Sequence, residues 1–148
     1  MSFEELDNLV QTGLLKPEPG DQREFDGLVD SGRKRLADAK KQGLSPESQF
    51  DLAYGAAHAF SLAAMRWHGY RPANKRYVVF QALGQTLGIK REVWRILDKC
   101  HGIRNSLEYD GSFNVDKQLL NDLLGATEET KNAIEKLGAV SGQRTKRK

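Results

Sequence analysis

The sequence predicts an all-α protein, an up-and-down bundle of four to five helices. Apolar residues recur every three or four positions along most of the 148-residue chain, which is the spacing of one face of a helix. Strand signals, such as alternating apolar and polar residues, are missing. The turns between the predicted helices are short, and short connections favour antiparallel neighbours.

The first twenty residues predict a short helix and a linker. Ser2 and Glu5 have the spacing of a capping box at a helix start. Gly13 is placed to end this helix, and the run 16–20 contains two prolines. Because proline fixes its own backbone angle, that run predicts a stiff connection without regular structure.

The next two helices have clear ends in the sequence. A helix from Asp21 to about Gly43 carries Gly32 on its apolar face, where a missing side chain permits close approach of a neighbour. The following helix begins at Ser45–Glu47, an N-cap followed by proline and an acid, and ends at Gly69. Its many alanines predict tight packing on both sides, as in a central helix.

Three further helices complete the predicted bundle. One spans residues 75–87, with Gly88 placed to cap its end. The next contains Arg104 and is broken at 110–111, and the last runs from about Asn114 to Leu137.

Arg104 lies inside the apolar stripe of its predicted helix, close to Val93, Leu97 and Cys100. A guanidinium cannot lose its proton, so a core-facing position requires a partner, a wet cleft or a symmetric interface. An ion pair with Glu108 at the rim of the core is one solution. We otherwise expect Arg104 to project into a concave groove or a two-fold interface.

The segment from His101 to Asp110, with the pair Arg104-Asn105, resembles the motif region of the HEPN superfamily, and His68–Pro72 is similar to a second part of it. HEPN proteins are small helical bundles common in prokaryotic toxin–antitoxin and defence systems. The resemblance covers roughly residues 45–137. It implies a homodimer with a metal-independent ribonuclease site between subunits. The family's His, four to six residues beyond the Arg, is missing: positions 109–111 hold Tyr, Asp and Gly.

Two functions follow from this resemblance, and a four-helix scaffold protein unrelated to the family is a third alternative. The favoured one is a HEPN-like module that binds RNA or a partner protein without cleavage, because the motif His is absent. The alternative is a metal-independent endoribonuclease toxin acting as a dimer. In that case Arg104 would stabilise phosphate charge, Asn105 would position an oxygen, and His101 would transfer a proton, unless it is a hydrogen-bonded core histidine. Tyr109 is a poor base at neutral pH.

The resemblance also implies partners. An antitoxin or a nucleotidyltransferase encoded nearby is expected, and Tyr109 resembles a tyrosine that receives adenylate groups in some HEPN toxins. A tyrosine that closes the bundle with its ring inward is the alternative.

The loop after Gly69 is a candidate nucleic-acid contact. Tyr70, Arg71, Lys75 and Arg76 combine basic and aromatic side chains, which can contact phosphates and stack on bases. The alternative is a solvated turn between helices, with Tyr77 packed inward.

Composition limits the remaining classes. The net charge is +3, but the last five residues contain four bases, so the body is nearly neutral. We divide the chain into residues 1–20, a bundle at 21–138 and a disordered basic tail at 139–148. The single Cys100 is expected in the core and fits a reducing cytoplasm. We expect no signal peptide, no membrane span, no metal and no cofactor.

Overall fold

The computed structural model describes residues 3–74, 77–110 and 115–140; the side chains of residue 3 and residues 107–110 lie outside that description. The described chain is all-α apart from one small ribbon, as the sequence predicts. The elements are α1 Phe3–Gln11, β1 Leu15–Pro17, α2 Gln22–Ala39, α3 Pro46–Trp67, β2 Tyr70–Pro72, α4 Val78–Gln81, α5 Leu83–Thr86, α6 Arg91–Asp110 and α7 Lys117–Glu135.

Helix α3 is the centre of the bundle, as its alanines predict. The Ser45 hydroxyl accepts a hydrogen bond from the Ser48 N–H at 3.1 Å, and Pro46 occupies the first turn. Eleven residues along the helix are buried, from Phe50 to Arg66. Helices α2, α6 and α7 pack around it, so α3 presents a face to each of the other long helices.

Gly32 allows α2 to approach α3 closely, as expected from its place on the apolar face. A Cβ atom at this position would lie 2.5 Å from Cε1 of Phe60, whose side chain is completely buried. That distance is far inside van der Waals contact. The aromatic ring of α3 therefore occupies the space that a side chain on α2 would need.

A short antiparallel ribbon lies partly in the segment for which the sequence predicts a linker without regular structure. Strand β1, in the predicted linker, pairs with β2 through Leu15 and Pro72, Lys16 and Arg71, and Pro17 and Tyr70. Each strand is three residues long, which is too short for an alternating pattern to be recognised. The extended backbone that proline favours suits a ribbon as well as a linker.

The predicted helix at 75–87 is wrong as a single element. It is divided at Ala82, which has φ −91° and ψ 2°, into the one-turn helices α4 and α5. The β-branched Val78 and Val79 and the glycine at 84 have low helix propensity. Because the segment has little helix propensity of its own, the packing that buries Val78, Val79, Phe80 and Leu83 can set its local structure.

Arg66 is a buried charge that fastens the chain before α2 onto α3. Its side chain is 2 % exposed. Nε donates to Oε1 of Glu24 at 2.9 Å, Nη1 donates to the carbonyls of Glu18 and Tyr70 at 2.9 and 3.2 Å, and Nη2 donates to the Pro19 carbonyl at 2.8 Å. Every nitrogen of the guanidinium therefore has an acceptor, as a buried charge requires.

The described chain ends with a docked residue rather than a loose one. Val140 is buried, and its N–H donates to Oε1 of Gln22 at 2.7 Å. Packing thus continues two residues beyond the expected boundary at 138, and the basic residues 141–148 lie outside the described part. Within the described residues, every helix is too short or too polar to cross a bilayer.

Candidate functional site

A groove of about 560 Å³ runs along one face of α3, between α2 and α6. Its polar lining includes Arg35, Asp51, Tyr54, His101, Arg104 and Asn105. The volume falls within the range of sites that hold small ligands or short segments of a polymer. The groove brings residues of three helices together, so we take it as the candidate site.

One face of α3 forms the floor of the groove, and the helical repeat determines which of its residues lie there. Asp51, Gly55 and His58 lie at positions i, i+4 and i+7 and therefore share one face. Asp51 and Gly55 are one turn apart along the axis. Two arginines from neighbouring helices meet these two turns, Arg104 from α6 at Asp51 and Arg35 from α2 at Gly55.

Arg104 lies at the groove, as its position in the apolar stripe predicts. Its Nε atom is 3.1 Å from Oδ1 of Asp51, and its side chain is 32 % exposed. The guanidinium carbon is 5.7 Å from the centre of the Tyr54 ring, within cation–π range. The acidic partner is thus Asp51 on another helix, whereas the side chain of Glu108 is outside the described residues.

His101 and Asn105 lie on the same side of α6 as Arg104. Nδ1 of His101 is 3.0 Å from the Tyr54 hydroxyl, and Nε2 is 3.5 Å from Nδ2 of Asn105. The His101 ring is half-buried, with the Tyr77 ring centred 5.1 Å away. His101 is therefore hydrogen-bonded at the edge of the groove, and it is not fully enclosed in the core.

Arg35 lines the groove, although its sequence position does not predict a site residue. Its Nε donates to the Ser31 hydroxyl at 3.2 Å, and its Nη1 would be 2.9 Å from a Cβ atom placed on Gly55. Gly55 therefore leaves room for the Arg35 side chain to cross α3. Among the described residues no carboxylate pairs with Arg35. The only sequence feature that could have pointed to Arg35 is Gly55, a glycine within an alanine-rich helix. Which residue of α2 lies opposite Gly55 depends on how the two helices are aligned.

The groove carries an excess of positive charge. Arg35 and Arg104 are permanently charged, and Asp51 is the one carboxylate on the described lining. One positive charge is therefore left without a negative counterpart when the histidines are neutral. Such a surface attracts anions, and two guanidinium groups suit phosphate oxygens in particular.

The described residues of the predicted nucleic-acid loop, 70–74 and 77, do not form an open stacking surface. Tyr70 is buried and its hydroxyl donates to Asp7, so Tyr70 is wrong as a base-stacking residue. Nη2 of Arg71 is 2.9 Å from both Glu18 and Glu24, which joins Arg71 to the Arg66 cluster and not to the groove. Tyr77 is half-buried against the core, as the solvated-turn alternative expects.

Some predicted site residues fall outside the described part. These are Lys75, Arg76 and the side chain of Tyr109. Cys100 is described and completely buried, as expected, and burial raises the pKa of its thiol to about 12. The thiol is therefore neutral at physiological pH and serves as a core residue. No cluster of three metal-ligating side chains occurs within the described residues.

Comparison of the chain with protein-family models, curated proteins and solved structures finds no match. We therefore infer a function from the charges and hydrogen-bonding groups that line the groove.

Proposed function

We propose that this chain is a HEPN-like RNA-binding protein of a prokaryotic toxin–antitoxin or defence system, whose groove holds the RNA backbone without cleaving it. The observation that carries the proposal is that Arg104 and Arg35 lie against successive turns of α3, at Asp51 and Gly55, in one groove. Arginines on two walls of one groove can contact neighbouring phosphates of a single strand, and phosphate contacts supply most of the affinity for nucleic acid.

Neighbouring groups support a polynucleotide ligand. The exposed amide of Asn105 and the hydroxyl of Ser31 lie on the same groove as the two arginines. Hydroxyl and amide groups commonly position phosphate and sugar oxygens. The same groove therefore contains both positively charged groups and neutral hydrogen-bonding groups.

Binding without cleavage fits the residues near Arg104. The motif His is replaced by Tyr, Asp and Gly at positions 109–111. Asp51, 3.1 Å from Arg104, offsets part of the charge that a pentavalent phosphate would require.

We also propose that the protein is a cytoplasmic homodimer with a partner protein encoded nearby. In the same proposal, Tyr109 receives adenylate groups.

The test is the affinity for a fluorescein-labelled single-stranded RNA, measured by fluorescence anisotropy. Arg104→Ala and Arg35→Ala are each expected to weaken binding about tenfold, because each removes charge-assisted hydrogen bonds to a phosphate. Each is also expected to reduce the slope of log affinity against log salt by about 0.7, the value for one lost contact on a single strand.

Arg95→Ala is the matched control, because Arg95 is exposed on α6 and does not line the groove. It removes the same charge and is expected to change the affinity less than twofold. Equal losses in the Arg95 and Arg104 variants would mean that binding follows net charge alone. Failure of the unmodified protein to bind any RNA tested would reject the proposed function.

The second candidate, a metal-independent endoribonuclease, is favoured by one observation. The Tyr54 hydroxyl is 3.0 Å from Nδ1 of His101, which orients the ring as hydrogen-bonded histidines in acid–base catalysis are oriented. His101 also lies one turn from Asn105 and Arg104 on α6. His101 would then transfer the proton that the motif His transfers in the family.

RNA cleavage in EDTA, followed on denaturing gels, tests this candidate. Cleavage that His101→Ala reduces at least a hundredfold would support it, because general acid–base catalysis contributes about 10²–10⁴-fold. Gln85→Ala, a change in a separate pocket that residues of α1 also line, is expected to leave any cleavage unchanged. Intact RNA throughout would contradict this candidate, whereas cleavage that persists in the His101 variant would contradict only the role of His101 as the proton carrier.

A further inference from the structure

We infer that Asp51 is a specificity-determining residue that restricts the groove to phosphodiesters and disfavours phosphomonoesters. The inference rests on the proposed function and names its ligand more closely. An internal phosphodiester of RNA carries one negative charge, whereas a terminal phosphate carries about −1.5 to −2 at neutral pH. The groove therefore selects the interior of an RNA strand over a phosphorylated end or a free nucleotide.

The contact between Asp51 and Arg104 is the first support. Oδ1 of Asp51 lies 3.1 Å from Nε of Arg104, so the carboxylate forms an ion pair at the Nε atom of the guanidinium. The terminal Nη atoms of Arg104 make no hydrogen bond within the described residues. A guanidinium can bind two oxygens through its Nη edge. A phosphate can thus approach Arg104 from that edge while Asp51 stays in place.

The charge of the groove is the second support. Arg35 and Arg104 face a single carboxylate on the described lining, so the groove has one net positive charge when its histidines are neutral. A phosphodiester neutralises that charge. A phosphomonoester brings a second negative charge into the groove, and this charge is repelled by the carboxylate of Asp51.

The exposure of Asp51 sets the size of the effect. Its side chain is 56 % exposed, so water and salt screen the repulsion and an effect of severalfold is expected. The same exposure makes substitutions at this position compatible with folding. Asp51 also lies in the second turn of α3, on the groove side rather than on the buried side of the helix.

The experiment compares two probes that each contain one phosphate. Uridylyl-uridine carries a single phosphodiester, and uridine monophosphate carries a phosphomonoester. Dissociation constants for both are measured on the full chain by NMR titration at neutral pH. The unmodified protein is expected to prefer uridylyl-uridine. Asp51→Asn is expected to shift the ratio of the two constants about three- to tenfold toward uridine monophosphate.

Three further variants keep the result interpretable. Asp51→Glu retains the charge and is expected to retain the preference of the unmodified protein. Asp30→Asn removes a carboxylate that pairs with Lys34 on the exposed part of α2, and it is expected to leave the ratio unchanged. Asp51→Ser repeats the neutralisation should the Asn variant fail to fold.

The outcomes separate this inference from the proposed function. An unchanged ratio in Asp51→Asn, with RNA binding intact, overturns the role of Asp51 and leaves the proposed function standing. A shift of the same size in Asp30→Asn also overturns it, because the effect would then follow net charge. Absence of RNA binding in the unmodified protein overturns both.

Discussion

Replacing Arg66 with methionine is expected to lower the free energy of unfolding by about 3–5 kcal/mol, as observed when one partner of a buried ion pair is removed. The methionine can fill much of the space but donates no hydrogen bond. The carbonyls of Glu18, Pro19 and Tyr70 and the carboxylate of Glu24 would each lose a donor. Urea denaturation followed by circular dichroism measures the change.

Arg71→Met is the matched control for this prediction. Arg71 contacts the same two carboxylates, Glu18 and Glu24, but its side chain is 33 % exposed. We expect a loss of about 1 kcal/mol or less. A hydrogen bond from Arg71 lowers the pKa of Glu18, so the pair stabilises the fold at neutral pH. This contribution is lost as the pH falls through the lowered pKa. Similar losses in the two variants would contradict the role of burial.

Gly32→Ala is expected to destabilise the protein by about 1–3 kcal/mol, although alanine is the better helix former. The new Cβ would lie 2.5 Å from Cε1 of Phe60. Phe60 is completely buried and belongs to a cluster with Phe25, Val29 and Leu36. The ring therefore cannot move away without shifting its neighbours. Thermal and urea denaturation both report the loss.

Gly27→Ala on the same helix is the control. A Cβ at Gly27 meets nothing within 4 Å, so alanine is expected to stabilise the protein by about 0.5–1 kcal/mol. The opposite signs at positions 27 and 32 would identify the contact with Phe60 as the cause. Phe60→Leu combined with Gly32→Ala is expected to recover part of the loss. If Gly32→Ala alone stabilised the protein, α2 and α3 would be able to move apart at position 32 without a loss in the free energy of unfolding.

The long helices could be predicted because their signals are local. Ser45 and Pro46 mark the start of α3, and Gly69 follows its end with φ +89°, a conformation that favours glycine. The ribbon and the division at Ala82 could not be predicted in this way. Both depend on contacts between distant segments, which override the propensity of a short stretch of sequence.

The candidate site was predicted only in part, for the same physical reason. Arg104 conflicts with its own apolar stripe, and that conflict is visible in one helix. Asp51 and Arg35 lie on exposed or polar faces of their own helices, where a charge is ordinary. Their place in the groove depends on how α2, α3 and α6 are aligned against one another. Only the folded chain defines that alignment.

The ribbon between β1 and β2 joins two parts of the chain that are far apart in sequence. Pairing Pro17 with Tyr70 closes a loop of roughly 50 residues that contains α2 and α3. In an unfolded chain, such a loop costs about 3.5 kcal/mol in closure entropy, beyond the cost of forming a turn. Once α2 and α3 form a hairpin, most of that cost has already been met. The segment that contains α1 and β1 is thus held in place by a later part of the chain, and we expect α1 and β1 to gain their native contacts after the centre of the bundle has formed.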